Sequence, residues 1–228
     1  MPPRPSLAKD LLWSAELVVL DFDGPITRLL PGQAFLELTD RAKQLLAEWG
    51  VPVDGESAQH TDHVQLLRSV HAQYPAAGIR LERWCTEQEM AAAALARPVP
   101  AAARFVAECR RRGLAMAVVT NNAPEAVSAV LTRGGPALGG LPVHGRSPGG
   151  IDDLKPAPDM LLAAAAQAGV DPAAAVMVGD TASDVRAATR AGMRCIGLSE
   201  EPTQREELLR AGAVAVVRDL GALLPAST

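Results

Sequence analysis

Short apolar runs, rich in β-branched residues and closed by Gly, Asp or Asn, recur along the chain: LVVL at 17–20, AMAVVT at 115–120, AVMVG at 175–179, RCIGLS at 194–199 and AVAVV at 213–217. A continuous apolar run of this length reads as a strand buried on both faces. Between most of these runs lie segments with helical patterning, AAARFVAECRRRG (101–113), PEAVSAVLTRGG (124–135) and PDMLLAAAAQAG (158–169), each finishing at glycine. Three arginines ahead of Gly113 suit the negative end of a helix and a left-handed cap. The alternation predicts an α/β fold, a Rossmann-like parallel sheet with helices on both faces.

One interval breaks the pattern. From about Pro31 to Arg97 the chain shows helical periodicity and no convincing strand, in FLELTDRAKQLLAEWG, DHVQLLRSVHAQY and RLERWCTEQEMAAAALA. Pro31-Gly32 and the stretch Pro98–Pro100 have linker composition. The expected organisation is a core of residues 1–30 and 99–228, interrupted after the first strand by a small helical subdomain at 31–98.

Composition narrows this picture. A chain of 228 residues with 48% hydrophobic content can bury a sizeable core, and with only 3% aromatics that core must be built from Ala, Val and Leu. The net charge of −4 gives no reason to expect nucleic acid or an anionic membrane as partner. Cys85, Cys109 and Cys195 are far apart and form no CxxC pair, which points to a reducing compartment. MPPRPSLAKDLL lacks the apolar stretch and cleavage site of a leader, and no apolar run approaches the roughly 18 residues of a membrane span. A cytoplasmic setting is expected.

In an open parallel sheet, ligands bind beyond the carboxyl ends of the strands. Asp21, Asp23 and Gly24 follow the first run, Thr120 and Asn121 the second, and Asp180 and Asp184 the third, while Lys155 precedes the helix that begins near Asp159. Four carboxylates at one sheet edge would repel and raise one another's pKa values, and a divalent cation relieves that. Oxygen ligands without His or Cys favour Mg²⁺ over zinc. A cation and a lysine beside a free carboxylate suit the equatorial oxygens of a transferring phosphoryl group.

DFDGPIT, VVTNN, KPAPD and VGDTASD, in that order, resemble the four motifs of the haloacid dehalogenase-like hydrolase superfamily. The helical insertion resembles the cap of the subgroup containing phosphoglycolate phosphatase and β-phosphoglucomutase. The resemblance implies that Asp21 is the nucleophile and forms an aspartyl-phosphate, and that Asp23 is the general acid and then the base. It also implies that Thr120 and the main-chain amide of Asn121 hold a phosphoryl oxygen and that Lys155 neutralises charge. Mg²⁺ would be held by Asp21, the main-chain carbonyl of Asp23, Asp180 and Asp184. A carboxylate at Asp23 favours phosphate esters, because the dehalogenases and phosphonate-cleaving relatives lack an acid there. Pro25 departs from the pattern, standing where many relatives have Thr.

The implied function is a Mg²⁺-dependent phosphatase of a small phosphorylated metabolite. A phosphomutase would share every core residue. A receiver-type signalling module places its acidic pair before the acceptor Asp and lacks a helical insertion, and a non-catalytic phospho-ligand binding protein would have lost Asp21 or Asp23. Other charged groups read as structural: His60 and His63 as surface or packing residues, Arg110–Arg112 as a solvated helix end, and Asp152 and Asp153 as loop residues. Arg28 and Arg146 flank the expected mouth and read as surface charge.

Overall fold

The structure, a computed structural model, describes residues 5–225; residues 1–4, part of the stretch read above for a leader, and residues 226–228 lie outside it. Among the described residues six parallel strands form one sheet: β1 (Leu17–Asp21), β2 (Ala115–Val119), β3 (Val143–His144), β4 (Ala175–Gly179), β5 (Arg194–Leu198) and β6 (Ala215–Val217). Their spatial order is β3-β2-β1-β4-β5-β6. The helices are α1 (Pro5–Trp13), α2 (Gln33–Glu48), α3 (Gly55–Gln59), α4 (His63–Gln73), α5 (Pro75–Ala93), α6 (Pro100–Arg111), α7 (Pro124–Arg133), α8 (Asp159–Ala168), α9 (Ala182–Arg190) and α10 (Pro202–Ala211).

LVVLD occupies the centre of the sheet because it has no polar residue until its end. All five positions of β1 are buried, with Leu17 opposite both Ala115 and Ala175 and Leu20 opposite both Val118 and Val178. The period-2 alternation of a strand divides the core in two. Val18 and Leu20 join Met116, Val118, Val176 and Val178 in packing on α1, α6 and α7. Leu17 and Val19 join Ala117, Val119 and Met177 on α8 and α9. The chain runs outward from β1 to β2 and β3, then returns to the other side of β1 with β4. Strand order therefore reverses at β1, and the crevice at its carboxyl end is the natural ligand site of such a sheet.

Between β1 and α6 the chain is helical, with no strand among the described residues. Leu66, Leu67 and Val70 of α4 and Leu81 and Cys85 of α5 bury against Ile151 and Leu154 of the core. The two connections run side by side: Thr27 Oγ1 donates to the Arg97 carbonyl at 2.8 Å, and the Val99 N–H donates to the Ile26 carbonyl at 2.8 Å. Elements beyond the segments named from the sequence include α1, the short α3, α10 and the two-residue edge strand β3. The sixth strand is also shorter than its apolar run, since Val214 is 38% exposed. Among the described residues no helix is long and apolar enough to cross a membrane.

Candidate active site

The first loop is built by a turn that brings two carboxylates off one strand in different directions. Phe22, fully buried, anchors it, and its carbonyl accepts the N–H groups of Ile26 and Thr27 at 3.1 and 3.2 Å. The Gly24 N–H closes the turn onto the Thr27 carbonyl at 2.6 Å. Pro25 therefore sits between residues whose donors are used while none is required of it, so the departure from Thr leaves the turn intact. Gly24 has φ +113°, and a Cβ there would lie 2.1 Å from Asp180 Oδ2. Gly24→Ala is expected to cost at least about 1–2 kcal/mol from the backbone conformation alone, and to displace the Asp180 carboxylate. Urea denaturation gives the first effect and loss of metal binding the second.

Lys155 is the hub of the site. Its Nζ donates to Asp21 Oδ1 at 2.6 Å, Asp184 Oδ1 at 2.7 Å and the Val119 carbonyl at 3.2 Å. An ammonium has three donors, so the group is saturated. It is 4% exposed, a buried ammonium and not a solvated one. Burial lowers its pKa, but Asp184 and Asp21 more than reverse this and hold it above the ordinary lysine value. Asn121 fixes the lysine's backbone in both directions: its Nδ2 donates to the Lys155 carbonyl at 3.1 Å and its Oδ1 accepts the Lys155 N–H at 2.9 Å. From α4, Arg68 donates to the Leu154 and Lys155 carbonyls, the latter at 3.0 Å.

Asp184 serves two purposes. Its Oδ2 accepts the N–H and hydroxyl of Thr181 at 3.0 and 2.7 Å, closing a capping box at the start of α9, while its Oδ1 faces Lys155. Asp180 takes a hydrogen bond from Arg28 on Oδ2 at 3.0 Å, and its buried Oδ1 has no partner among the described residues. One oxygen each from Asp21, Asp180 and Asp184 lie within 4.8 Å of one another, so the three could hold a metal ion. The orphaned Asp180 oxygen and the all-carboxylate donor set fit a hard divalent cation. Burial and the neighbouring Asp184 push the Asp21 carboxyl well above the ordinary range despite Lys155. Burial and Asp184 likewise push Asp180 up to about 6.

The carboxylate of Asp23 is not one of those three. It turns instead to accept the Leu29 N–H at 3.3 Å, and burial raises its pKa more than Leu29, Arg28 and Asn122 lower it. Thr120 Oγ1, 1% exposed for the residue as a whole, accepts the Asn122 N–H at 3.1 Å and keeps its own proton to donate. Asp21, Asp23, Thr120, Asn121, Asn122 and Lys155 share a cavity of about 960 Å³ with Phe35 and Arg68 from the inserted helices.

Of the two arginines read as surface charge, Arg28 is exposed at the cavity and ion-paired to Asp180. Arg146 is not surface charge at all: it is 2% exposed and locked onto Glu89 by hydrogen bonds of 2.9 and 3.0 Å. Its flanks, His-Gly and Ser-Pro-Gly-Gly, are ordinary loop composition, and its partner lies 57 positions away, so no local signal marked it. His63 is buried against the same Glu89 at 3.3 Å, a packing role.

Comparison with known proteins agrees with this geometry. The family model described as haloacid dehalogenase-like hydrolase matches residues 15–192. Phosphoglycolate phosphatase of Pseudomonas putida is 36% identical over 121 residues, 51% of this chain and 42% of that protein. Phosphoserine phosphatase of Thermus thermophilus is 39% identical over 118 residues, 50% of this chain and 47% of that protein. The matches thus span less than half of either relative. Among solved structures, CbbY of Rhodobacter sphaeroides in complex with phosphate superposes with a TM-score of 0.65 at 26% identity, over 91% of this chain and 95% of that one. With the motifs in order, the parallel sheet and a model match over most of its length, this chain belongs to the haloacid dehalogenase-like hydrolase family.

Proposed function

We propose that the chain is a Mg²⁺-dependent phosphatase that hydrolyses a small phosphomonoester through an aspartyl-phosphate on Asp21. The observation that carries this is the Lys155 ammonium seated between Asp21 and Asp184, at 2.6 and 2.7 Å, with Asp180 alongside. Phosphatase names on the relatives support hydrolysis over mutase chemistry. The cavity, about 960 Å³, suits a small metabolite, and a cytoplasmic setting remains the reading of the composition.

A carboxylate oxygen of Asp21 attacks phosphorus while the bond to the leaving oxygen breaks with its electron pair. Asp23, whose carboxyl is raised above its ordinary pKa by burial, protonates that oxygen. As a carboxylate it then takes a proton from water, whose oxygen attacks the phosphoryl group. The Asp21–phosphorus bond breaks, returning the electron pair to Asp21 and releasing inorganic phosphate. Lys155 favours the ionised form of Asp21, which burial disfavours. Thr120 and the Asn121 amide hold phosphoryl oxygens during transfer. Asp21, Asp180, Asp184 and the Asp23 carbonyl would hold Mg²⁺, which supplies positive charge to the transferring group. Residues 31–98 would act as a cap choosing the leaving group.

Metal dependence of phosphate release from an aryl phosphate tests this directly. Titration gives a second expectation. In the metal-free protein the folded state holds the Asp180 proton up to about pH 6, whereas an unfolded Asp releases it near 4. The folded state binds more protons between those values, so this group makes stability fall as pH rises from 4 to 6, by no more than about 1.4 kcal/mol per pH unit. Mg²⁺ must displace that proton. It is expected to raise the thermal midpoint clearly at pH 7.5 and little at pH 5, a contrast readable by denaturation in Mg²⁺ and in EDTA.

A further inference from the structure

We propose that Glu89 and Arg146 are positioning residues, a buried ion pair through which helix α5 of the insertion holds the Thr120–Ala123 loop in shape for phosphoryl transfer. This rests on the phosphatase reading above and deepens it. It assigns the insertion a part in the core's own phosphoryl site, apart from any contact it makes with the leaving group.

The loop is gripped at successive peptide groups. Arg146 donates from Nη1 to the Asn121 carbonyl at 3.0 Å, and its main-chain N–H donates to the Asn122 carbonyl at 3.0 Å. The Ala123 N–H donates to Glu89 Oε2 at 2.7 Å. Glu89 and Arg146 meet as a two-pronged pair at 2.9 and 3.0 Å, with both side chains fully buried. Arg146 Nη2 also donates to Thr86 Oγ1 at 3.2 Å, and His63 Nε2 stands 3.3 Å from Glu89 Oε1. Burial alone would raise the Glu89 pKa, but the hydrogen bond with His63 and the Arg146 charge hold it below the ordinary value.

Beside the gripped groups lie the atoms that the proposed chemistry uses. Thr120 Oγ1 accepts the Asn122 N–H, Asn121 clasps the Lys155 backbone, and Asn122 acts to lower the pKa of Asp23. A displacement of about 1 Å at such groups costs on the order of 10²-fold in rate. The guanidinium fork spans both Glu89 oxygens while Nη1 also holds the Asn121 carbonyl, a planar two-nitrogen grip that a lysine's single ammonium does not reproduce.

Glu82 provides the control. It lies 3.7 Å from Arg146 Nε and accepts the Gly149 N–H at 3.4 Å, without a hydrogen bond to the loop among the described residues. The experiment compares wild type, Glu89→Gln, Arg146→Lys and Glu82→Gln, with an aryl phosphate in Mg²⁺, at a temperature well below each thermal midpoint. Orthovanadate inhibition reports affinity for the transition-state shape, and inorganic phosphate reports the ground state. Glu89→Gln and Arg146→Lys are expected to lower kcat by about 10- to 100-fold, with KM and phosphate inhibition within about threefold and vanadate inhibition weakened in step with kcat. Glu82→Gln is expected to lose stability while keeping kcat. Wild-type kcat and vanadate affinity in folded Glu89→Gln, which retains the side chain's shape even if Arg146→Lys does not fold, would reduce the pair to a structural one and overturn the proposal. Failure of the phosphatase reading shows separately, as wild type without Mg²⁺-dependent turnover.

Discussion

Asp21→Asn is expected to lower phosphate release from an aryl phosphate by at least about 10⁴-fold while leaving the protein folded. The amide keeps the shape of the carboxylate but cannot form the acyl phosphate. No second carboxylate can substitute. Asp184 is hydrogen-bonded on both oxygens, Asp180 is turned to Arg28, and Asp23 lies outside the three-carboxylate group, turned to the Leu29 N–H. Stability should change little or rise, since a buried group whose ionisation is already disfavoured becomes neutral. Steady-state kinetics and urea denaturation measure the two parts. Activity within tenfold of wild type would mean that Asp21 is not the nucleophile.

Lys155→Met is expected to have the largest combined effect on stability and activity. Removing the ammonium leaves Asp21 and Asp184 facing each other without a counter-charge in a buried site. Breaking a buried pair in this way costs about 3–5 kcal/mol. The Asp21 pKa, already raised by burial and Asp184, rises further, so less of the nucleophile is ionised at neutral pH. Folded carboxylates with raised pKa values bind protons that the unfolded chain does not, so stability increases as pH falls. The variant's deficit against wild type should therefore shrink from pH 7.5 toward pH 5. Mg²⁺ should stabilise the variant more than the wild type, because it replaces the missing positive charge. Denaturation midpoints at the two pH values, in EDTA and in Mg²⁺, carry both expectations.

The sequence exposed those parts of the molecule that are governed by local pattern. An unbroken apolar run followed by a charged turn marks a central strand and its functional end, which is why pattern alone assigns Asp21, Thr120 and Asp180 to one sheet edge. The fold brings Asp21, Asp180, Asp184 and Lys155 together there. Elements with weak pattern were not legible. Strand β3 is two residues long, and α10 (PTQREELLRA) buries only Leu208, so neither shows a sustained apolar stripe. Arg146 illustrates the same limit for chemistry. A charged residue in a glycine-rich loop looks solvated unless its partner is known, and Glu89 sits on a helix more than fifty positions earlier. Arg68 likewise reads as one more polar position on α4, although it reaches across to the Lys155 loop.

The most direct measurement of the covalent mechanism is to trap the intermediate. In Asp23→Ala an aryl phosphate still transfers its phosphoryl group, because a phenolate leaves without a proton, but the base that activates water is gone. Acid quench during turnover in Mg²⁺, followed by peptide mass spectrometry, should find one phosphoryl group on Asp21. Turnover by this variant with no phosphoryl group on Asp21, or with one on another side chain, would contradict the mechanism.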